Sequence, residues 1–135
     1  QIEQWAKDAD SDLWPLLLAI ARYESLFSPS AIGDAGCSIG LLQFNRCGGL
    51  GVGYSVNQLM NGPFNLSLGA SYIRSERARG RSLYDAIRPW SVRPQAWALY
   101  LTYRPDPAPI QTPSLPTSTI ALIALAGLAI LLLEG

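Results

Sequence analysis

Histidine is absent from this 135-residue chain. Without it, no Ser-His-Asp or Cys-His nucleophilic site can be assembled. Zinc sites built on imidazole are excluded, and two cysteines cannot supply a four-thiolate site. Net charge is lacking too, since ten basic residues balance ten acidic ones. Bulk charge therefore predicts no nucleic-acid partner. Lysine occurs once, at Lys7. Proton transfers must fall to Glu, Asp, Tyr, Cys or that lysine. Alternating apolar and polar runs of useful length are also missing, so no strand is expected.

Apolar residues are plentiful but unevenly spread, and they divide the chain into three zones. Residues 1–104 mix charges and aromatics as a globular domain does. Residues 105–117 carry Pro105, Pro107, Pro109, Pro113 and Pro116, a composition that favours an extended spacer. At about 3.1 Å per residue this linker reaches roughly 40 Å. The terminal zone, 118–135, begins with sixteen uncharged residues, 118–133, apolar on every side. Sixteen residues rise roughly 24 Å as a helix, slightly short of a ~30 Å hydrocarbon core. The expectation is a C-terminal transmembrane helix contacting the lipid bilayer through 118–133. The competing reading is a buried core helix, which has little need of a long proline lead-in.

The globular zone reads as mainly α. Asp10, Ser11 or Asp12 can cap a helix running to Ser25, with Pro15 tolerated in its first turn. Short helices are expected at Leu41–Asn45 and Ser55–Met60. Longer ones are expected from Asn65 to about Arg79, from Leu83 to Ile87 and from Pro94 to Tyr103. Leu66, Ala70 and Ile73 fall on one face of the Asn65 helix. Cys37 and Cys47 stand ten apart in a Gly-rich stretch. That spacing permits a bridge, and it equally permits two separate buried thiols.

Leu13, Leu17, Ile20 and Glu24 share one face of the first helix. Glu24 is the sole acid on an otherwise apolar stripe, near the negative end of the helix dipole. Both features disfavour its charged form. A carboxyl that keeps its proton near neutrality is what a glycosidic leaving oxygen needs as donor. The plainer reading is a helix-end Glu that reaches solvent.

The residues downstream of Glu24 favour the proton-donor reading. Glu24-Ser25 leads to Ser28-Pro29-Ser30-Ala31, then Gly33-Asp34, then Gly36-x-Ser38-x-Gly40-Leu41-Leu42-Gln43-Phe44-Asn45. This series resembles the lytic transglycosylase and goose-type lysozyme family, and its Gly-Asp element resembles a variant common in phage-borne enzymes. Asn65-Leu66-Ser67-Leu68-Gly69-Ala70-Ser71-Tyr72-Ile73 is similar to that family's Asn-Leu-x-x-Gly-Ala-x-Tyr-Leu helix.

The resemblance implies a lysozyme-like domain that cleaves peptidoglycan glycan strands without metal or cofactor. It implies Glu24 as acid and then base, and Ser25 as a support for Glu24 or the substrate. Gln43 would be a sugar contact near the scissile bond, with Tyr72 packed beside the site. In this family one acid suffices, because the muramic acid's own 6-hydroxyl attacks the anomeric carbon. Asp34, Glu76 and Asp85 offer no evident position as a second carboxyl.

One element departs from the pattern. Where the family has Ala-Tyr-Asn-x-Gly, this chain has Arg88-Pro89-Trp90-Ser91-Val92. Trp90 is the candidate replacement for the substrate-side ring, and Ser91 does not match the asparagine. The arginines Arg74, Arg77, Arg79, Arg81, Arg88 and Arg93 read first as a solvated face, and second as an attractor for anionic wall polymers. Trp97, Tyr100 and Tyr103 read as core fillers.

Together these readings describe a membrane-anchored wall-cutting domain, in a virion membrane or a bacterial cell envelope, with other virion or envelope proteins as further candidate partners. The alternative is a structural virion or envelope protein that retains an inactive lysozyme-like fold. A hydrolytic lysozyme is a third possibility.

Overall fold

A computed structural model describes residues 1–103. The expected spacer at 105–117 and the apolar segment at 118–133 lie outside the described residues. Among the described residues, no helix is long and apolar enough to cross a membrane.

The domain is mainly helical, as expected. Its elements in chain order are α1 (Ile2–Ala9), α2 (Trp14–Ser25), β1 (Ile32–Gly33), β2 (Ser38–Ile39), β3 (Phe44–Asn45), α3 (Val56–Met60), α4 (Gly62–Ala78), α5 (Leu83–Ala86) and α6 (Arg93–Tyr103). A single 3-10 turn, Asp34–Gly36, separates β1 from β2. Helix α2 is central and packs on α6, α1 and α4. Leu13, Leu17 and Ile20 are buried as their spacing predicts, together with Leu16 and Ala19.

Local chemistry explains the helix starts. Asp10 accepts the backbone N–H groups of Asp12 and Leu13, each at 2.9 Å, and α2 begins directly after. Asp10 is itself buried and held by the Arg74 guanidinium of α4. Burial alone pushes this carboxyl up, but the hydrogen bonds from Arg74, Leu13 and Asp12 outweigh it and hold it below the usual range. Ser55 and Gln58 form a reciprocal capping box at α3. Asn61 caps α4 by accepting from Phe64 N–H, with Pro63 in the first turn. Leu66, Ala70 and Ile73 are buried along α4, as expected.

Three features correct the sequence reading. Helix α1 has no counterpart among the expected elements. A small antiparallel sheet, ordered β1-β2-β3, stands where no strand was expected. Its register pairs Ile32 with Ile39 and Ser38 with Asn45. Two-residue strands are too short to show any alternation. The helix expected at Leu41–Asn45 is instead the tip and return strand of the β2–β3 hairpin. Gly40 (φ 86°) and Gln43 (φ 52°) both adopt left-handed backbone, which a right-handed helix cannot absorb.

The Cys37–Cys47 bridge, which the spacing permits without requiring, is formed, with an S–S distance of 2.02 Å and Cα atoms 5.5 Å apart. It closes the base of that hairpin. The arginine-rich stretch is largely solvent-exposed, as its first reading expects, while several of its members pair with acids of the domain. Arg74 pairs with Asp10 and Asp12, Arg79 and Arg81 with the buried Glu76, and Arg93 with Asp85.

Candidate active site

An open cavity of about 530 Å³ runs beside the end of α2. Glu24 and Asp34 line one part of it, and Ser38, Gln43, Phe44 and Asn45 of the hairpin line another. The Gly48-Gly49-Leu50 loop and the Pro89-Trp90-Ser91 turn supply the remaining wall.

The hairpin is pinned by hydrogen bonds to the Leu42 peptide. Leu42 N–H donates to Asn65 Oδ1 at 2.9 Å, and Leu42 C=O accepts the Trp90 indole N–H at 2.8 Å. Asn65 is fully buried, and its Nδ2 also donates to Leu59 O at 2.9 Å and Ile39 O at 3.3 Å. One side chain on α4 thus fixes the hairpin tip that carries Gln43. A Cβ on Gly40 would stand 2.2 Å from Leu59 O and 2.4 Å from Asn65 Nδ2, so only glycine fits there.

Among the described residues, the non-glycine residues with positive φ are Leu26, Phe27, Asp34, Ala35 and Gln43. All lie in the stretch that wraps from Glu24 to the hairpin. Asp34 and Gln43 line the cavity, while Leu26 is the left-handed cap that ends α2.

Glu24 sits at the end of α2, half-buried, and no group among the described residues hydrogen-bonds its carboxyl. Its pKa is pushed up to about 7, first by burial and then by the negative charge of Asp34. The carboxyl therefore holds its proton up to neutral pH and can donate it into the cavity.

As a second carboxyl, Asp34 has no evident position in the sequence. The fold gives it one, on the same cavity as Glu24. Ser38, itself buried, donates its hydroxyl to the Asp34 carboxylate. The other two candidates are engaged elsewhere: Glu76 with Arg81 and Arg79, and Asp85 with Arg93.

Replacing Asp34 by Asn removes the charge but not the burial. The alkaline limb of the activity profile is expected to move to lower pH while remaining above the limit of an ordinary carboxyl. A pH–rate profile of the variant checks this, and an unmoved limb would contradict the electrostatic coupling.

The residues predicted from sequence divide between cavity wall and support. Gln43 lines the cavity. Its Nε2 donates to Ala31 O at 3.1 Å and Gly40 O at 3.0 Å, so Oε1 is the end left for a ligand. Trp90 lines the cavity but is only 5% exposed. Its ring packs edge-on against Phe44 and Tyr72, so it offers the cavity a thin strip rather than an open face.

Tyr72 stands behind Trp90 and is not part of the cavity wall. Burial and the neighbouring Glu76 raise its phenol pKa. Ser25 is also off the cavity, since it is buried and donates its hydroxyl to Ala21 O at 3.1 Å within α2. Trp97 and Tyr100 pack on each other, as their reading as core residues anticipated, whereas Tyr103 is exposed and does not fill the core.

Sequence reasoning gives no role to Ser38, Asn45 or Ser91, which all line the cavity. Ser38 and Asn45 fall inside the motif that follows Glu24. Their facing register across the hairpin is the signal available, and it requires a hairpin rather than a helix.

A mainly helical domain with a half-buried carboxyl of raised pKa on an open groove fits the class of lysozyme-like domains. The sequence model described as Transglycosylase SLT domain matches residues 1–103, and the chain belongs to that family. At the level of the family, its substrate is peptidoglycan and its activity is cleavage of the glycan strand. No curated protein and no solved structure matches the chain.

Proposed function

We propose that this chain is a lytic transglycosylase that cuts the β-1,4 bond between N-acetylmuramic acid and N-acetylglucosamine, with Glu24 as its single acid–base group. The observation that carries this reading is the half-buried Glu24 carboxyl bordering an open groove, its pKa pushed up to about 7 by burial and by Asp34. Glu24 donates its proton to the leaving glycosidic oxygen. The 6-hydroxyl of the muramic acid then bonds to the anomeric carbon and passes its own proton back to the Glu24 carboxylate. The products are a 1,6-anhydro end and a free 4-hydroxyl, and the enzyme returns to its starting state. Gln43 contacts the sugar beside the bond, and Trp90 with Tyr72 behind it shapes the wall.

A second reading draws on Asp34, which shares the cavity with Glu24. Two carboxyls on one groove are the equipment of a hydrolase, with Asp34 directing a water molecule to the anomeric carbon. Digestion of purified peptidoglycan separates the two. Anhydro-muropeptides identify the transglycosylase, whereas reducing muramic acid ends identify the hydrolase. Release of neither product supports the inactive structural module and overturns both enzymatic readings.

The proposal extends to location. The proline-rich 105–117 stretch and the uncharged 118–133 stretch support a domain held off a virion or envelope membrane by a spacer. The full chain is expected to float with lipid vesicles through a density gradient and to resist extraction by high salt. Recovery in the unbound fraction would remove the anchor.

A further inference from the structure

Glu76 is a buried carboxylate for which the cleavage chemistry has no use. It is 5% exposed on α4 and pairs with Arg81 and Arg79 from the turn that follows the helix. Exchanging a buried ion pair for apolar residues of similar volume is often neutral or stabilising. Stability alone therefore does not explain a charge at this place.

A third partner leads from Glu76 toward the cavity. Tyr72, one turn earlier on α4, donates its phenol hydrogen bond to the Glu76 carboxylate. The Tyr72 ring meets the Trp90 indole edge-on, with centroids 5.9 Å apart and planes at 76°. Phe44 of the hairpin packs on the same indole, with centroids 6.0 Å apart. Packed against both rings, the indole donates its N–H to Leu42 O at 2.8 Å.

That carbonyl belongs to the peptide unit joining Leu42 to Gln43. Gln43 has left-handed backbone (φ 52°), uncommon for a residue with a Cβ. Its side chain lines the cavity. The orientation of this one peptide unit therefore decides where Gln43 stands. Contacts run without a break from a buried charge on α4 to the residue beside the acid.

We infer that Glu76 is a positioning residue for glycan cleavage: through the Tyr72 phenol and the Trp90 indole it holds the Leu42–Gln43 peptide, and with it Gln43, in place on the cavity wall. The inference rests on the glycan-cleaving reading and adds a residue that never meets the sugar.

Glu76→Gln and Glu76→Leu in the full-length chain separate this role from a merely structural one. Both remove the charge facing Arg81, whose side chain is 35% exposed and can turn to water. Only glutamine keeps an acceptor for the Tyr72 hydroxyl. Glu76→Leu is expected to lower kcat on peptidoglycan by roughly 5- to 20-fold per folded molecule, the scale of one lost hydrogen bond. The loss falls chiefly on kcat, because the glycan still binds while Gln43 sits off its mark. Glu76→Gln is expected to stay within about twofold of wild type. Tyr72→Phe, which deletes the hydroxyl alone, should match the leucine variant. The Trp90 indole N–H resonance gives a readout besides activity. It should shift in Glu76→Leu and Tyr72→Phe and keep its place in Glu76→Gln.

Equal activity of the glutamine and leucine variants, whether both intact or both impaired, overturns the inference. So does a fully active Tyr72→Phe, or an indole resonance that Glu76→Leu leaves unmoved. Each of these outcomes leaves the enzymatic reading intact. If Glu76→Leu does not fold, Tyr72→Phe decides by the same two readouts. A wild type that releases no product, like Glu24→Gln, removes the enzymatic reading itself and the positioning role with it.

Discussion

Glu24→Gln is expected to lower peptidoglycan cleavage by roughly 10²–10⁴-fold, the range for losing a positioned acid–base group. Glutamine is nearly isosteric with the protonated acid and offers no proton. The fold should therefore survive while the chemistry does not. The wild-type profile carries a matching signature. Glu24 titrates near pH 7, so the rate should hold below that value and fall as pH rises through it.

The same shift couples to stability, with a definite sign. Glu24 binds its proton more tightly in the folded chain than in the unfolded one, where the pKa is about 4.5. Folding stability therefore declines as pH rises from about 4.5 to about 7. Glutamine has no proton to lose, so that component of the decline is absent in the variant. Thermal melts at about pH 5 and about pH 8 for the two proteins check this. A variant that cleaves peptidoglycan within about threefold of wild type would falsify the assignment of Glu24.

The second large effect is structural. Asn65→Leu places an apolar side chain of similar volume where the amide now serves three backbone groups. Leu42 N–H, Ile39 O and Leu59 O all lose their partner inside the core. Each stranded group costs about 1–3 kcal/mol, so the three together give an expected destabilisation of roughly 3–9 kcal/mol. A small domain has only about 5–15 kcal/mol in reserve. Urea unfolding measures the loss directly. Activity should fall further than the loss of folded protein explains, because the hairpin tip bearing Gln43 is freed as well. A change below about 1 kcal/mol would mean that water or a backbone shift replaces the amide, and that the tip is held by other contacts.

These two residues illustrate how far the sequence can be read. Glu24 is legible because helix periodicity places it at the end of an apolar stripe, and the residues after it repeat a recognisable motif. The cores of α2 and α4 are legible for the same reason, since burial on a helix follows spacing. Helix α1 is hidden because it buries one small residue, Ala6, and has no side-chain cap at its start.

The hairpin is hidden because its strands are two residues long, while Leu41-Leu42 within it looks like a helix core. Asp34 cannot be placed from sequence because its neighbourhood depends on a turn that folds ten residues back toward Glu24. Ser25 and Tyr72 are drawn toward the site by the motif. The fold shows why they accompany it without lining it: one finishes the helix that presents the acid, and the other backs the wall.

The disulfide has a bearing on where such a domain can be assembled. It ties together the two ends of the hairpin that lines part of the cavity, and Cys47 is solvent-exposed. The amide clamp from α4 grips only the opposite end, at the tip. In surroundings that keep thiols reduced, the tip stays anchored while the base and the glycine loop after it lose their covalent tether. The helical body is expected to form there as before, with a groove looser at its base.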